Sequence, residues 1–154
     1  MKIKLLVVGK NKDGFIDEYL NEYQKRLKSF VSFEIKYLKS NKSFSEVNLQ
    51  NKAEAVDILK ELDNGDFLVV LDEKGEALTS VKFSEKIKIW QFSGKKSLVF
   101  LIGGAYGIDS SVRKKASATI SLSPMTFTHQ MVRVIFAEQL YRAFTIIHKM
   151  PYHH

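Results

Sequence analysis

The sequence predicts an α/β fold, a mostly parallel sheet flanked by helices. Three observations lead there. Short continuous apolar runs, each ending in glycine or a polar turn, suit strands buried on both faces. Between them stand segments whose apolar residues recur every three or four positions, as they do in helices that cover a sheet. Strand and helix patterns alternate along the chain, which calls for crossover connections and hence parallel strands. With 154 residues and 45% hydrophobic content, the expectation is a single domain, residues 1–154.

The elements follow in order. "IKLLVV", Ile3 to Val8, is an apolar run ending at Gly9 and reads as a buried strand. Ile16, Leu20, Tyr23, Leu27 and Phe30 then recur at helical spacing, while Glu22, Lys25, Arg26 and Lys28 face away. "VSFEIKYL" alternates Val31, Phe33, Ile35 and Tyr37 with polar residues, as a strand with one wet face does. Residues 40–52 are polar and read as a loop. A short helix through Ala55, Ile58, Leu59 and Leu62 follows, ended by Asn64 and Gly65. "FLVVL", Phe67 to Leu71, is a second buried strand, closed by the turn "DEKGE". A helix from near Ser80 carries Phe83, Ile87 and Trp90, and "SLVFLI", Ser97 to Ile102, is a third buried strand closed by "GGAYG". A short basic helix around Val112 and Arg113 leads to a weak strand, "ATISL". A final helix runs from about His129 to Lys149.

Composition narrows the function. There are no cysteines, which excludes disulfides, thiolate metal sites and a cysteine nucleophile and agrees with a reducing cytoplasm. No apolar run approaches the roughly 20 residues of a membrane-spanning helix, and the N-terminal run is too short for a signal peptide. A soluble, cytoplasmic protein with no membrane role is expected. The net charge of +7 favours polyanionic partners but also suits an ordinary solvated surface.

Ligands of open α/β sheets bind beyond the carboxyl ends of the strands. Three such ends stand out: Leu71 before "DEKGE", Ile102 before "GGAYG", and Leu122 before "SPMTFTH". The glycine spacing of Gly103 to Gly107 matches neither a Walker loop nor the dinucleotide fingerprint. It permits a tight turn into the next helix or close approach to a flat ligand, and both readings stay open. Asp72, Glu73, Glu76 and Asp109 read as solvated turn carboxylates. No nucleophile elbow is present, and His129, His148, His153 and His154 form no metal-binding pattern, so no metal is expected. His129 opens the last helix, whereas His148 reads as packing near its end.

That helix is apolar nearly all round. Val132, Ile135, Phe136, Leu140, Ala143, Phe144 and Ile147 form one stripe, and Met131, Val134 and Tyr141 spread over the other side. Burial of the second face against another copy, as an isologous dimer, is the favoured expectation. Burial within the monomer is the alternative.

"LIGGAYG", followed some twenty residues later by "SLSPMTFTHQMVRVIFAEQLYRAF", with "MKIKLLVVGK" at the start and "PYHH" at the end, resembles the RlmH family of ribosomal RNA large-subunit methyltransferases in the SPOUT superfamily. The likeness spans essentially the whole chain. It implies a C-terminal trefoil knot, an exception to the rule that chains are unknotted, and a homodimer. S-adenosyl-L-methionine would be held at Leu71, Gly103 and the run Leu122, Ser123, Pro124, Met125, Thr126 and Phe127. The implied reaction is methylation at N3 of a pseudouridine in 23S rRNA, with the assembled ribosome as the expected substrate. His129, Arg142, Tyr152 and His153 are the implied catalytic candidates, for handling the base or positioning RNA. For Arg142 an ion pair with Glu138, one turn earlier, is the alternative. Lys10, Lys12, Lys114 and Lys115 would attract phosphate. Many relatives carry proline where this chain has Thr128. Two other functions stay open: a SPOUT enzyme acting on another RNA such as tRNA, and a non-catalytic ribosome-binding knot protein.

Overall fold

A computed structural model describes residues 1–40 and 45–152. The elements are β1 (Lys2–Val8), α1 (Gly14–Leu27), β2 (Phe33–Leu38), α2 (Val47–Lys60), β3 (Asp66–Ala77), α3 (Ser80–Gln91), β4 (Ser97–Ile102), α4 (Ser110–Lys115), β5 (Ala118–Ser121) and α5 (Met131–Ile147). The strands form one five-stranded sheet in the order β2-β1-β4-β3-β5. Every neighbouring pair is parallel.

Alternation along the central strands sorts their side chains into two cores. Ile3, Leu5, Val7, Val69, Leu98, Phe100 and Ile102 pack with Leu27, Phe83, Ile87, Trp90, Phe136, Leu140 and Phe144. Leu6, Val8, Leu68, Val70, Val99 and Leu101 pack on the opposite face with Ala55, Ile58 and Val112. Helices α1, α3 and α5 therefore cover one face and α2 and α4 the other.

Two helices start where local chemistry directs. Thr79 caps α3, its Oγ1 accepting from the Lys82 amide at 3.2 Å, and Asp109 caps α4, its Oδ1 accepting from the Ser111 amide at 2.8 Å. Thr128 accepts at Oγ1 from the Met131 amide at 3.3 Å. That bond steadies the first turn of α5 in a way proline could not.

Two expectations need correction. Residues 47–52, read as loop, are the first turns of α2; residues 41–44 of that reading lie outside the described residues. The helix was hidden because its inward positions include the buried polar residues Gln50 and Glu54, which carry no apolar periodicity. The second correction concerns "DEKGE", which does not end β3. Leu71 and Glu76 both align with Ile120 of β5, so residues 72–75 bulge out of the strand and pairing resumes beyond them. Gly75 makes this possible, since a Cβ there would lie 2.5 Å from the Ile120 carbonyl carbon. Gly75→Ala is expected to lower stability by about 1–3 kcal/mol through overpacking against rigid backbone, seen as a reduced thermal midpoint.

The first stripe on α5 packs within the chain. Phe136, Leu140, Ala143 and Phe144 are buried inside this chain, between the sheet and the flanking helices. Phe136 lies 4.7 Å from Phe100, ring centre to ring centre, and Phe144 stacks on Phe30 at 5.8 Å. His148 packs against Phe30 at 5.1 Å, as its position near the helix end suggested.

Candidate functional site: a cleft over three strand ends

The bulge of β3 and the carboxyl ends of β4 and β5 open onto a cleft of about 540 Å³. That is ample for a small organic ligand. Three loops form it: the β3 bulge with Asp72 to Lys74, the loop Gly103 to Ile108 after β4, and the loop Leu122 to Phe127 after β5, with His129 and Val132 closing one side.

Of the residues expected to hold a cofactor, Leu71, Gly103, Leu122, Ser123, Met125, Thr126 and Phe127 all line this cleft. Pro124 belongs to the same loop but is exposed and outside the lining. The loop is pinned from within: the Ser121 hydroxyl donates to the Ser123 carbonyl at 2.9 Å, and Ser123 Oγ accepts from the Met125 amide at 2.9 Å. The glycine loop has two distinct needs. Gly107 has a positive φ of 91°. At Gly103 and Gly104 there is no room for a Cβ, which would overlap Ile108 and Glu54 respectively. Close packing of this loop against Ile108 and α2 thus requires glycine at both positions.

Asp72 is not a solvated turn residue. Its carboxylate accepts from Arg113 Nη2 at 2.6 Å and from the Lys74 amide at 2.9 Å, closing the cleft from the α4 side. Burial pushes its pKa up, but the Lys74 amide and the Arg113 guanidinium outweigh burial and hold it below the usual carboxylate value. A depressed folded pKa contributes stability that is present above the unfolded value and is lost as pH falls through the folded one. Asp72→Asn is therefore expected to flatten the acid-side loss of stability, measured by denaturant midpoints between about pH 5 and pH 3. Glu76 pairs with Lys86 at 3.0 Å.

His129 is half-buried in the cleft wall. Burial first, then the charge of Arg133, push its pKa below the ordinary value; Glu54 and a hydrogen bond with the Gly104 backbone act the other way. The imidazole is accordingly neutral near pH 7. Arg133 is itself buried, donating to Asn11 Oδ1 and to the Val8 carbonyl and lying 5.9 Å from the Tyr37 ring. It ties α5 to the end of β1.

Arg142 and Tyr152 stand elsewhere. Neither lines the cleft, and Arg142 is three turns into α5, on the order of 16 Å from its start. Arg142 Nη2 pairs with Glu138 Oε1 at 2.6 Å, so the alternative ion pair is formed. Tyr152 donates to the same oxygen at 3.4 Å and packs edge-on against Tyr141. Burial, then Tyr152, push the neighbouring Tyr23 up to about 12. His153 and His154 lie outside the described residues.

Sequence reasoning missed Glu54, Asp72 and Arg113. For Glu54 a signal existed: Gln50, Glu54 and Ile58 share one helical face at four-residue spacing, and Ile58 is core. Arg113 and Asp72 are 41 positions apart, and no local pattern joins them. Among the described residues no cluster of three or more histidines or carboxylates could hold a metal ion. No described helix is long and apolar enough to cross a membrane.

A parallel sheet with a glycine-backed cleft over three adjoining strand ends defines an α/β protein built to hold a small ligand at its loops. The chain belongs to the SPOUT methyltransferases: the family model described as "Predicted SPOUT methyltransferase" matches residues 1–153. It is 48% identical to the ribosomal RNA large subunit methyltransferase H of Parabacteroides distasonis, covering 100% of this chain and 99% of that protein. Proteins of the same name from Flavobacterium johnsoniae and Bdellovibrio bacteriovorus are 44% and 40% identical, each over 99% of its own length.

Proposed function

We propose that this protein methylates N3 of a pseudouridine in the 23S rRNA of the large ribosomal subunit, with S-adenosyl-L-methionine as methyl donor and the assembled ribosome as substrate. The full-length likeness to proteins named ribosomal RNA large subunit methyltransferase H carries the reading. The cleft supports it, because seven of the eight expected cofactor positions line one cavity whose glycine floor leaves no room for side chains.

In this reading the backbone of Gly103 and of Leu122 to Phe127 binds the polar edges of the donor, and Leu71, Leu122 and Met125 hold its flat faces. The donor's sulfonium supplies an activated methyl group. What the chain must add is alignment and removal of the proton on the imide N3. His129, neutral near pH 7, takes that proton. Arg142, Tyr152 and His153 position the RNA or steady the charge left on the base. Arg142 and Tyr152 stand far from the cleft of their own chain, so the proposal includes a homodimer in which a second copy brings such a set to the cleft. The proposal also includes the family's trefoil knot, one functional domain, and a cytoplasmic location with the ribosomes. Lys10, Lys12, Lys114 and Lys115 add phosphate attraction, which salt should weaken.

Mass spectrometry of 23S rRNA from cells lacking the protein tests the reading. One missing methyl group on a pseudouridine, restored by the purified protein on intact ribosomes, is the expected result. A methyl group missing from tRNA, or none missing, would refute it.

A further inference from the structure

Glu54 is a carboxylate buried beside the cleft, and among the described residues no cation pairs with it. It stands on α2 with only 3% of its surface exposed. Its hydrogen-bond partners are neutral: Gln50 Nε2 donates to Oε1 at 3.1 Å, and Ser40 Oγ donates to the same oxygen at 3.3 Å. Among the described residues no lysine or arginine pairs with it. Burying an uncompensated charge is costly, and glutamine would fill the same space without that cost. Packing alone therefore explains the shape of this side chain but not its charge.

Glu54 lies directly beneath Gly104. A Cβ on Gly104 would overlap Glu54 Oε2 and come within 3.1 Å of Cδ and 3.2 Å of Oε1. Gly104 lines the cleft, and its backbone also hydrogen-bonds His129. The carboxylate, the bare glycine and the imidazole are thus in series from α2 to the cleft wall. Among the described residues the other charged group acting on His129 is Arg133, one turn further along the chain on α5, and it acts in the opposite sense to Glu54. Arg133 is engaged with Asn11, Val8 and Tyr37.

We propose that Glu54 is a positioning residue: its carboxylate, held under Gly104 by Gln50 and Ser40, supports the glycine loop against which the His129 ring is set. This rests on the reading of His129 as the proton acceptor given above. The physical need is plain. Burial and Arg133 both favour the neutral ring, and a ring that binds protons too weakly is a poor base. An anion behind Gly104 counters both.

The test is an NMR titration of the His129 ring in the full-length protein without cofactor, comparing the unaltered chain with Glu54→Gln. His129→Asn identifies the signal, and His148 serves as internal control. Removing the anion should move the His129 midpoint to lower pH by about half a unit or more, with His148 unmoved. A midpoint that does not move, in a folded protein, overturns the proposal. Should Glu54→Gln fail to fold, the same titration is read in Glu54→Asp, which withdraws the charge by one methylene. A smaller acid-ward shift is then expected, and an unmoved midpoint again overturns it. Methyl-transfer rates at saturating substrate separate the two readings. The acid limb of the kcat profile should move with the titration. A shifted titration with an unmoved rate profile would uphold the link between Glu54 and His129 and count against His129 as the proton acceptor.

Discussion

Phe136→Ala is expected to lower folding stability by about 3–5 kcal/mol, the usual loss for a fully buried phenylalanine. The ring is 0% exposed and sits against Phe100 at 4.7 Å and Phe33 at 6.5 Å. Small domains have roughly 5–15 kcal/mol in total, so this change alone consumes a large share, and Phe136→Asp should not fold at all. Urea denaturation checks the first, and its concentration dependence is diagnostic. At concentrations low enough to leave folded monomers, a residue in the core of one chain still shifts the midpoint, whereas a residue whose contacts come only from a partner does not. A shift that persists at those concentrations is expected.

Gly103→Leu should abolish cofactor binding with a far smaller effect on the fold. Even the first carbon of the new side chain would overlap Ile108 and come within 3.2 Å of the Gly107 carbonyl oxygen, so the loop Gly103 to Ile108 that lines the cleft must shift. A loss of at least about 100-fold in affinity for S-adenosylmethionine is expected, equivalent to about 2.7 kcal/mol. Isothermal titration calorimetry on the folded variant measures it. Affinity within a few-fold of the unaltered protein would show that the cleft over β3, β4 and β5 is not the donor site.

Much of the fold was legible because strands and helices advertise themselves locally. "IKLLVV", "FLVVL" and "SLVFLI" are central strands buried on both sides, and continuous apolar runs are the local signature of such strands. The helix near Ser80 begins at that residue, because its Thr79 cap and its Phe83, Ile87 and Trp90 stripe agree. The candidate site was legible for a related reason. Loops after parallel strands meet at one edge of the sheet, so Leu71, Gly103 and Leu122 had to converge once the strands were identified. Where polar residues face inward the signal failed. Gln50 and Glu54 disguised the first half of α2, and the four polar or glycine residues from Asp72 to Gly75 looked like a turn when they are a bulge inside a continuing strand.

By itself the amino-acid sequence determined the alternating α/β order, the parallel sheet, the three loops of the cleft and the family likeness, since each is written in neighbouring residues. Only the tertiary structure decided which partners the charged groups have. Arg133 meets Asn11 across 122 positions and Arg113 meets Asp72 across 41, distances over which periodicity carries no information. It also decided that the Phe136 side of α5 belongs to the core of its own chain, and that Arg142 and Tyr152 lie apart from His129. An apolar stripe states only that a face must leave water; which surface covers it depends on how the whole chain closes.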